Sequence, residues 1–413
     1  MSLIKFFAYV YLFSWIVMAF LPYVYFSTKV YYALLFIFSL TSLLFSVYAV
    51  LKFNLPAYFK VLFVFVFFLF IYGAYIAILG ENIYWQGGGR FVNSYDYVLW
   101  LLTSMLSSIV VYTFSSRGIL QNGEMKLFFL IAFVSSVFAF QVFSNEKIIE
   151  ASKLGLDDDE FTVTCVYSFL SLFPFVVLLK KSVLLQFSGV CAIFTFCVLG
   201  VKRGPILLCA LCSLFFVWNL LQGSSIKKKL LVVFLLFIAS VGIYDFILSQ
   251  IENSPYFALR VEQTLAGDSS GRDSYGKVIL DYYLNHTNLR EFFLGMGANQ
   301  TLSVNVSFAH NDWLGILLEQ GVVGVLLYLV YWIGFFMSWM KSKKKKDAYT
   351  ALGVLLLIGI GKSLFSMYYL PVTAEMIISS GFFAVGLGYF MGIAYPQEDV
   401  FDLSERQSMV DNT

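Results

Sequence analysis

Apolar runs of about twenty residues recur along almost the whole chain. Coiled as a helix, each is as long as the hydrocarbon core of a bilayer is thick. They lie near 7–26, 31–51, 61–80, 97–115, 127–144, 161–179, 182–200, 205–221, 230–249, 313–338, 349–370 and 375–395. Twelve such runs in 413 residues leave little chain for a water-soluble domain. A peptide group facing lipid finds no water to bond, so a spanning segment must close its hydrogen bonds within itself. The expected fold class is therefore an all-α integral membrane protein of about twelve transmembrane helices. The first run has no A-x-A-like cleavage site and another span follows it, so it reads as a span rather than a cleaved signal peptide.

The basic residues set an orientation. Lys5, Lys52, Lys60, Arg117, Lys126, Lys180, Lys181, Lys227, Lys228, Lys229 and the run Lys341, Lys343, Lys344, Lys345, Lys346 all fall on one side if the helices alternate in direction. The positive-inside rule makes that side cytoplasmic and puts both termini there. The chain then divides into spans one to nine (1–249), a large outer loop (250–312), spans ten to twelve (313–395) and a polar cytoplasmic tail (396–413). A net charge of +2 gives no reason to expect a nucleic-acid partner. The surrounding partner is membrane lipid.

Polar groups beside a bilayer are costly, so the exceptions carry the functional signal. The 250–312 loop has one helical-looking stretch, Tyr275–Leu284, and apolar residues at near-helical spacing, which favours a folded outer cap. Its end is the string Ala309-His310-Asn311-Asp312-Trp313-Leu314, followed by Gly321 and Gly324. His310, one of two histidines, stands at the mouth of a membrane helix, where its ordinary pKa suits a general base. Asn311 or Asp312 can cap that helix. Eleven residues separate His310 from Gly321, close to three turns, which would put both on one face and let a neighbouring helix approach at Gly321 and Gly324.

Cations gather on the same side. Arg203 lies in the turn Val201-Lys202-Arg203-Gly204-Pro205, and Pro205 suits the first turn of the helix that follows. A helix N-terminus beside a guanidinium is an anion site. Arg272 opens the loop's helical stretch, which Asp273 could cap. Lys362, deep in the eleventh span, would add positive charge to an anionic pocket. Arg90, after Gly87-Gly88-Gly89 in another outer loop, is a weaker accessory of the same type.

Other patterns carry no chemistry. Cys209-Ala-Leu-Cys212 lies inside an apolar span without a second pair, and the five cysteines imply neither metal nor disulfide. Gly267-Asp268-Ser269-Ser270-Gly271 has no strand before it, so it is not a nucleophile elbow. No Walker loop, dinucleotide fingerprint or metal-ligand cluster stands in the sequence. Neither a cofactor nor ATP-driven transport is expected.

Three strings now resemble the bacterial O-antigen polymerase and O-antigen ligase superfamily: Lys202-Arg203-Gly204-Pro205, Ser270-Gly271-Arg272 followed by Gly295-Met296-Gly297, and His310 through Gly324. They cover roughly residues 200–330, and the first half is similar only in hydropathy. The resemblance implies a metal-independent glycosyltransferase of the bacterial inner membrane, working at the periplasmic face, so that the 250–312 loop is periplasmic. It implies undecaprenyl-diphosphate-linked oligosaccharides as donor and acceptor, and a chain-length regulator as a partner. His310 would be the catalytic base, with Arg203 and Arg272 on the diphosphate. The wording around Lys202 and His310 is closer to polymerases than to ligases. A flippase or other transporter is the rival from another class, but its polar groups belong at the midplane.

Overall fold

A computed structural model describes residues 3–20, 28–79, 83–85, 90–92, 94–153, 163–180, 182–222, 224–267, 272–305, 307–369 and 374–397. The first five helices are α1 (Leu3–Phe20), α2 (Thr28–Lys52), α3 (Ala57–Leu79), α4 (Ser94–Ser116) and α5 (Asn122–Lys153). A small antiparallel hairpin, β1 (Ile83–Trp85) with β2 (Arg90–Val92), stands between α3 and α4. It is a minor departure from the all-helical expectation. Then come α6 (Val166–Leu172), α7 (Val183–Leu199), α8 (Arg203–Leu221) and α9 (Ile226–Asn253).

Four short helices fill the large loop: α10 (Pro255–Leu265), α11 (Arg272–His286), α12 (Leu289–Leu294) and α13 (Thr301–Val304). The chain ends with α14 (Asp312–Lys341), α15 (Lys346–Phe365) and α16 (Ala374–Ala394). Nine helices among the described residues are long and apolar enough to cross a membrane. Leu3–Met18, Val166–Leu179 and Val183–Leu199 are apolar but shorter. All of them fall on expected runs.

The 161–179 run is not one α-helix. α6 stops at Leu172 and the chain tightens into a 3-10 helix, Phe173–Leu179, with Pro174 in its first turn. Proline has no N–H to continue the α ladder and its ring crowds the preceding turn, so the pitch changes there.

α4 and α16 form the centre, each with 89% of its span buried. Small residues make this possible. A Cβ on Gly388 would lie 2.4 Å from the Ser108 carbonyl oxygen, and one on Gly392 2.5 Å from Ser115 Cβ. Lipid offers no hydrophobic drive between helices, so such close backbone packing and interhelical hydrogen bonds hold the bundle. The Tyr11 hydroxyl joins Ser42 Oγ at 2.6 Å and Ser107 Oγ at 2.7 Å, tying α1 to α2 and α4. α9 runs at the edge, with Val232 its one fully buried residue.

The basic residues of several helices meet at one end. Lys180 Nζ lies 2.8 Å from Asp347 Oδ2, Lys346 Nζ donates to the Gln222 carbonyl at 2.6 Å, and Lys345 Nζ donates to that of Ile393 at 2.6 Å. The mouth of α14 is at the other end.

Candidate functional site at the mouths of α8, α11 and α14

Asn311 caps α14. Its Oδ1 accepts from the Trp313 and Leu314 amides at 3.0 and 3.2 Å, satisfying two N–H groups that no helix turn can reach. Immediately before it, His310 takes φ +48°, a left-handed turn that side chains other than glycine adopt rarely. That turn brings the chain from buried Ala309 into the helix and leaves the imidazole half-buried.

The C-terminus of α15 fixes the neighbours. Asn311 Nδ2 donates to the Leu364 carbonyl at 3.2 Å, and an Arg272 guanidinium nitrogen donates to that of Phe365 at 2.5 Å. Carbonyls ending a helix lack intrahelical donors and carry partial negative charge, so they suit a cation. Two consecutive carbonyls thereby hold the His310 turn and the first residue of α11 side by side. Asp273 lies within the first turn of α11, after Arg272, rather than at its cap.

A second cluster adjoins it around Tyr167, a buried residue of α6. Lys202, the residue before α8, donates to Thr164 Oγ1 at 3.1 Å and stands 5.5 Å from the Tyr167 ring centre. Lys362, only 3% exposed, lies 5.2 Å from the same ring and donates to Ser379 Oγ at 3.3 Å. The π face is the negative part of an aromatic ring, so Tyr167 holds both ammonium groups near the site. Arg203 opens α8 beside Lys202 and is half-buried, and a Cβ on Gly204 would come within 2.9 Å of the Tyr167 hydroxyl.

His310 feels this charge. Its pKa is pushed down to about 4, first by burial and then by Arg272 and Lys202. Read from its ordinary pKa, His310 would be a base needing little adjustment; in its folded surroundings it is neutral near pH 7 and more weakly basic than that.

Four residues of this site went unassigned in the sequence. Lys202 stood in the Lys202-Arg203-Gly204-Pro205 string without a role of its own. Tyr167 and Glu319 lay in apolar runs without distinction. Asp312 looked like a second cap, yet it is 2% exposed and its Oδ2 accepts from the Tyr328 hydroxyl at 2.8 Å, the Tyr368 amide at 3.1 Å and the Tyr369 amide at 3.3 Å. It thereby anchors the segment following α15, whose carbonyls hold Arg272 and Asn311.

The expectation that His310 and Gly321 share one face of a continuous helix is corrected. Gly321 has φ 64° and ψ −165°, which breaks α14 into two helices, so turn counting from His310 across it fails. The close approach there is by the end of α12: a Cβ on Gly321 would lie 2.5 Å from the Phe293 carbonyl carbon. Carbonyls freed by the break are used, since Leu318 and Glu319 accept from the Met296 and Gly297 amides, each at 2.9 Å. Glu319 also accepts from the Thr301 hydroxyl, which pins α13 to α14. At Gly324 the atoms nearest an added Cβ belong to Gln320 and Ile316 of the same helix.

Arg90 pairs with Trp85 across the hairpin, and its side chain lies outside the described residues, as do Gly87–Gly89. Among the described residues no group of three or more His, Cys, Asp or Glu could hold a metal ion.

Fold and site define a multi-pass membrane protein with a half-buried histidine and neighbouring cations at the mouths of its helices. Residues 187–329 match the family model described as O-antigen ligase, which is consistent with the O-antigen polymerase and ligase superfamily. That stretch contains Lys202, Arg203, Arg272 and His310 but ends before Lys362. No curated protein matches the chain.

Proposed function

We propose that this protein is an O-antigen-type polysaccharide polymerase, joining polyprenyl-diphosphate-linked oligosaccharide repeats by inverting transfer at the periplasmic face of the bacterial inner membrane. The observation carrying the reading is that consecutive carbonyls at the end of α15 hold Arg272 beside the half-buried His310 turn, where it and Lys202 lower the pKa of the imidazole. The leaving group would be a lipid diphosphate, and fixed cations with helix N-termini stabilise its departing charge without a metal. A sugar hydroxyl is a weak nucleophile. His310 would accept its proton as oxygen bonds the anomeric carbon and the opposite bond to the diphosphate breaks. The diphosphate would first neutralise Arg272 and Lys202 and so restore the basicity of His310. Arg203, at the first turn of α8, is assigned to the same anion.

The basic end of the bundle supports a cytoplasmic assignment for both termini and an outer position for α10–α13. A chain-length regulator remains the partner the resemblance implies. The second reading is the ligase, which moves finished polymer to lipid A core, and the description of the matching family favours it. The wording around Lys202 and His310 is the ground for preferring the polymerase.

A lipopolysaccharide gel from a strain lacking the protein separates the two. Core bearing a single repeat is the expected result. Bare core with long polymer left on its carrier would make the protein the ligase, and an unchanged ladder would refute both.

A further inference from the structure

At the end of the bundle opposite His310, a cavity of about 740 Å³ lies between the start of α3 and the second half of α14. Its rim carries Lys52, the last residue of α2, and Lys341, the last of α14. Among the described residues no Asp or Glu lines it. The first turn of α3, beginning at Ala57, faces the same space, and the leading N–H groups of a helix have no intrahelical partner. All of these favour negative charge.

The cavity also has an oily side. Val330, Ile333 and Met337 of α14 line it and are 48%, 52% and 49% exposed, on a helix long and apolar enough to cross the membrane. It therefore opens sideways towards lipid as well as towards the basic end. Phe53, in its wall, is held by Arg117, whose guanidinium carbon lies 3.5 Å from the ring centre. That contact keeps the α2–α3 turn in place and adds a third cation nearby.

We propose that this cavity binds an anionic membrane phospholipid, with its phosphate between Lys52, Lys341 and the α3 N-terminus and its acyl chains leaving past Val330, Ile333 and Met337. A phosphate from solution would answer the charges and leave the apolar wall bare. A zwitterionic lipid would cover the wall and answer the lysines poorly. Only an anionic lipid satisfies both.

The test is native mass spectrometry of the full-length protein, delipidated in detergent and offered phosphatidylglycerol, phosphatidylethanolamine or glycerol 3-phosphate. Wild type should retain phosphatidylglycerol in preference, and glycerol 3-phosphate should not displace it. Lys52→Gln and Lys341→Gln should each weaken retention roughly fivefold, the value of one basic residue near an anionic surface. The paired Lys→Arg variant should keep the preference, and size-exclusion profiles should show all variants folded. Equal retention of the two lipids, or a preference surviving in the paired Gln variant, would overturn the proposal. Displacement by glycerol 3-phosphate would make it a soluble-anion site. A rise in retention on deleting residues 398–413, which begin with Glu398-Asp399 next to the lining residue Gln397, would make the protein's own tail the occupant.

Discussion

Gly295 and Gly321 meet backbone to backbone: a Cβ on Gly321 would lie 2.7 Å from the Gly295 amide nitrogen, and one on Gly295 2.3 Å from that of Gln320. Both have positive φ, 75° and 64°. One ends α12 and the other breaks α14, so two glycines far apart in sequence make a single joint. The joint seats the outer helices on the helix whose mouth carries His310.

Gly321→Ala should therefore be among the most damaging small substitutions. The backbone region it occupies costs a side chain about 1–3 kcal/mol. The clash with the Phe293 carbonyl adds overpacking of similar size, because backbone cannot step aside as a side chain does. Gly242→Ala in α9, where nothing lies within 4 Å, is the control. Thermal unfolding in detergent should show a large loss for the first and little change for the second.

Acid should weaken the fold through His310. Its pKa of about 4 lies below the ordinary 6.5. Between these values the unfolded chain binds more protons than the folded one, so stability rises with pH across the window. The contribution is complete above about 6.5 and is lost as pH falls towards 4. His310→Gln should flatten that part of a thermal-midpoint profile; an unaltered slope would show that the imidazole is not held neutral.

Catalysis should follow the same charges in reverse. The acid limb of kcat/KM reports the free enzyme and should lie near pH 4, while that of kcat, with diphosphate over Arg272 and Lys202, should lie higher. Coincident limbs would remove the anion's role in raising the basicity of His310. His310→Ala should insert normally and abolish chain extension, and normal long-chain product would exclude it as the base.

Arg203→Lys and Arg272→Lys should each impair transfer strongly, since a point charge cannot grip a diphosphate with two parallel bonds. Wild-type transfer by Arg203→Lys would reduce that residue to ending a turn.

Asp312→Asn should act at a distance. An amide keeps one acceptor oxygen but puts its NH2 where Oδ1 accepts from the Tyr368 amide at 3.2 Å, and an unmet buried hydrogen bond costs about 1–3 kcal/mol. The segment after α15 should loosen, and with it the carbonyls that hold Arg272 and Asn311. The measurement is transfer activity together with protease sensitivity near residue 366. Full activity with a protected segment would make Asp312 dispensable.

The membrane helices were readable because lipid forces each span to declare itself as a long apolar run, whatever it packs against. His310 and Asn311 were readable for a related reason: polar residues at a span's mouth stand out from the run they end. The break at Gly321 could not be counted out, since turn counting assumes a continuous helix and the backbone that fits against the break comes from residues 293–297. Asp312 could not be told from a cap because its partners Tyr328, Tyr368 and Tyr369 come from elsewhere in the chain. Lys202 stood in the same string as Arg203 with no role of its own until the fold placed Tyr167 beneath it.

The stretch that matches a known family stops at residue 329, whereas Arg272 and Asn311 rest on Leu364 and Phe365. The recognisable unit is thus not portable. Cut out alone, or grafted onto a foreign C-terminal half, it would keep every signature residue and lose the two carbonyls that set their spacing.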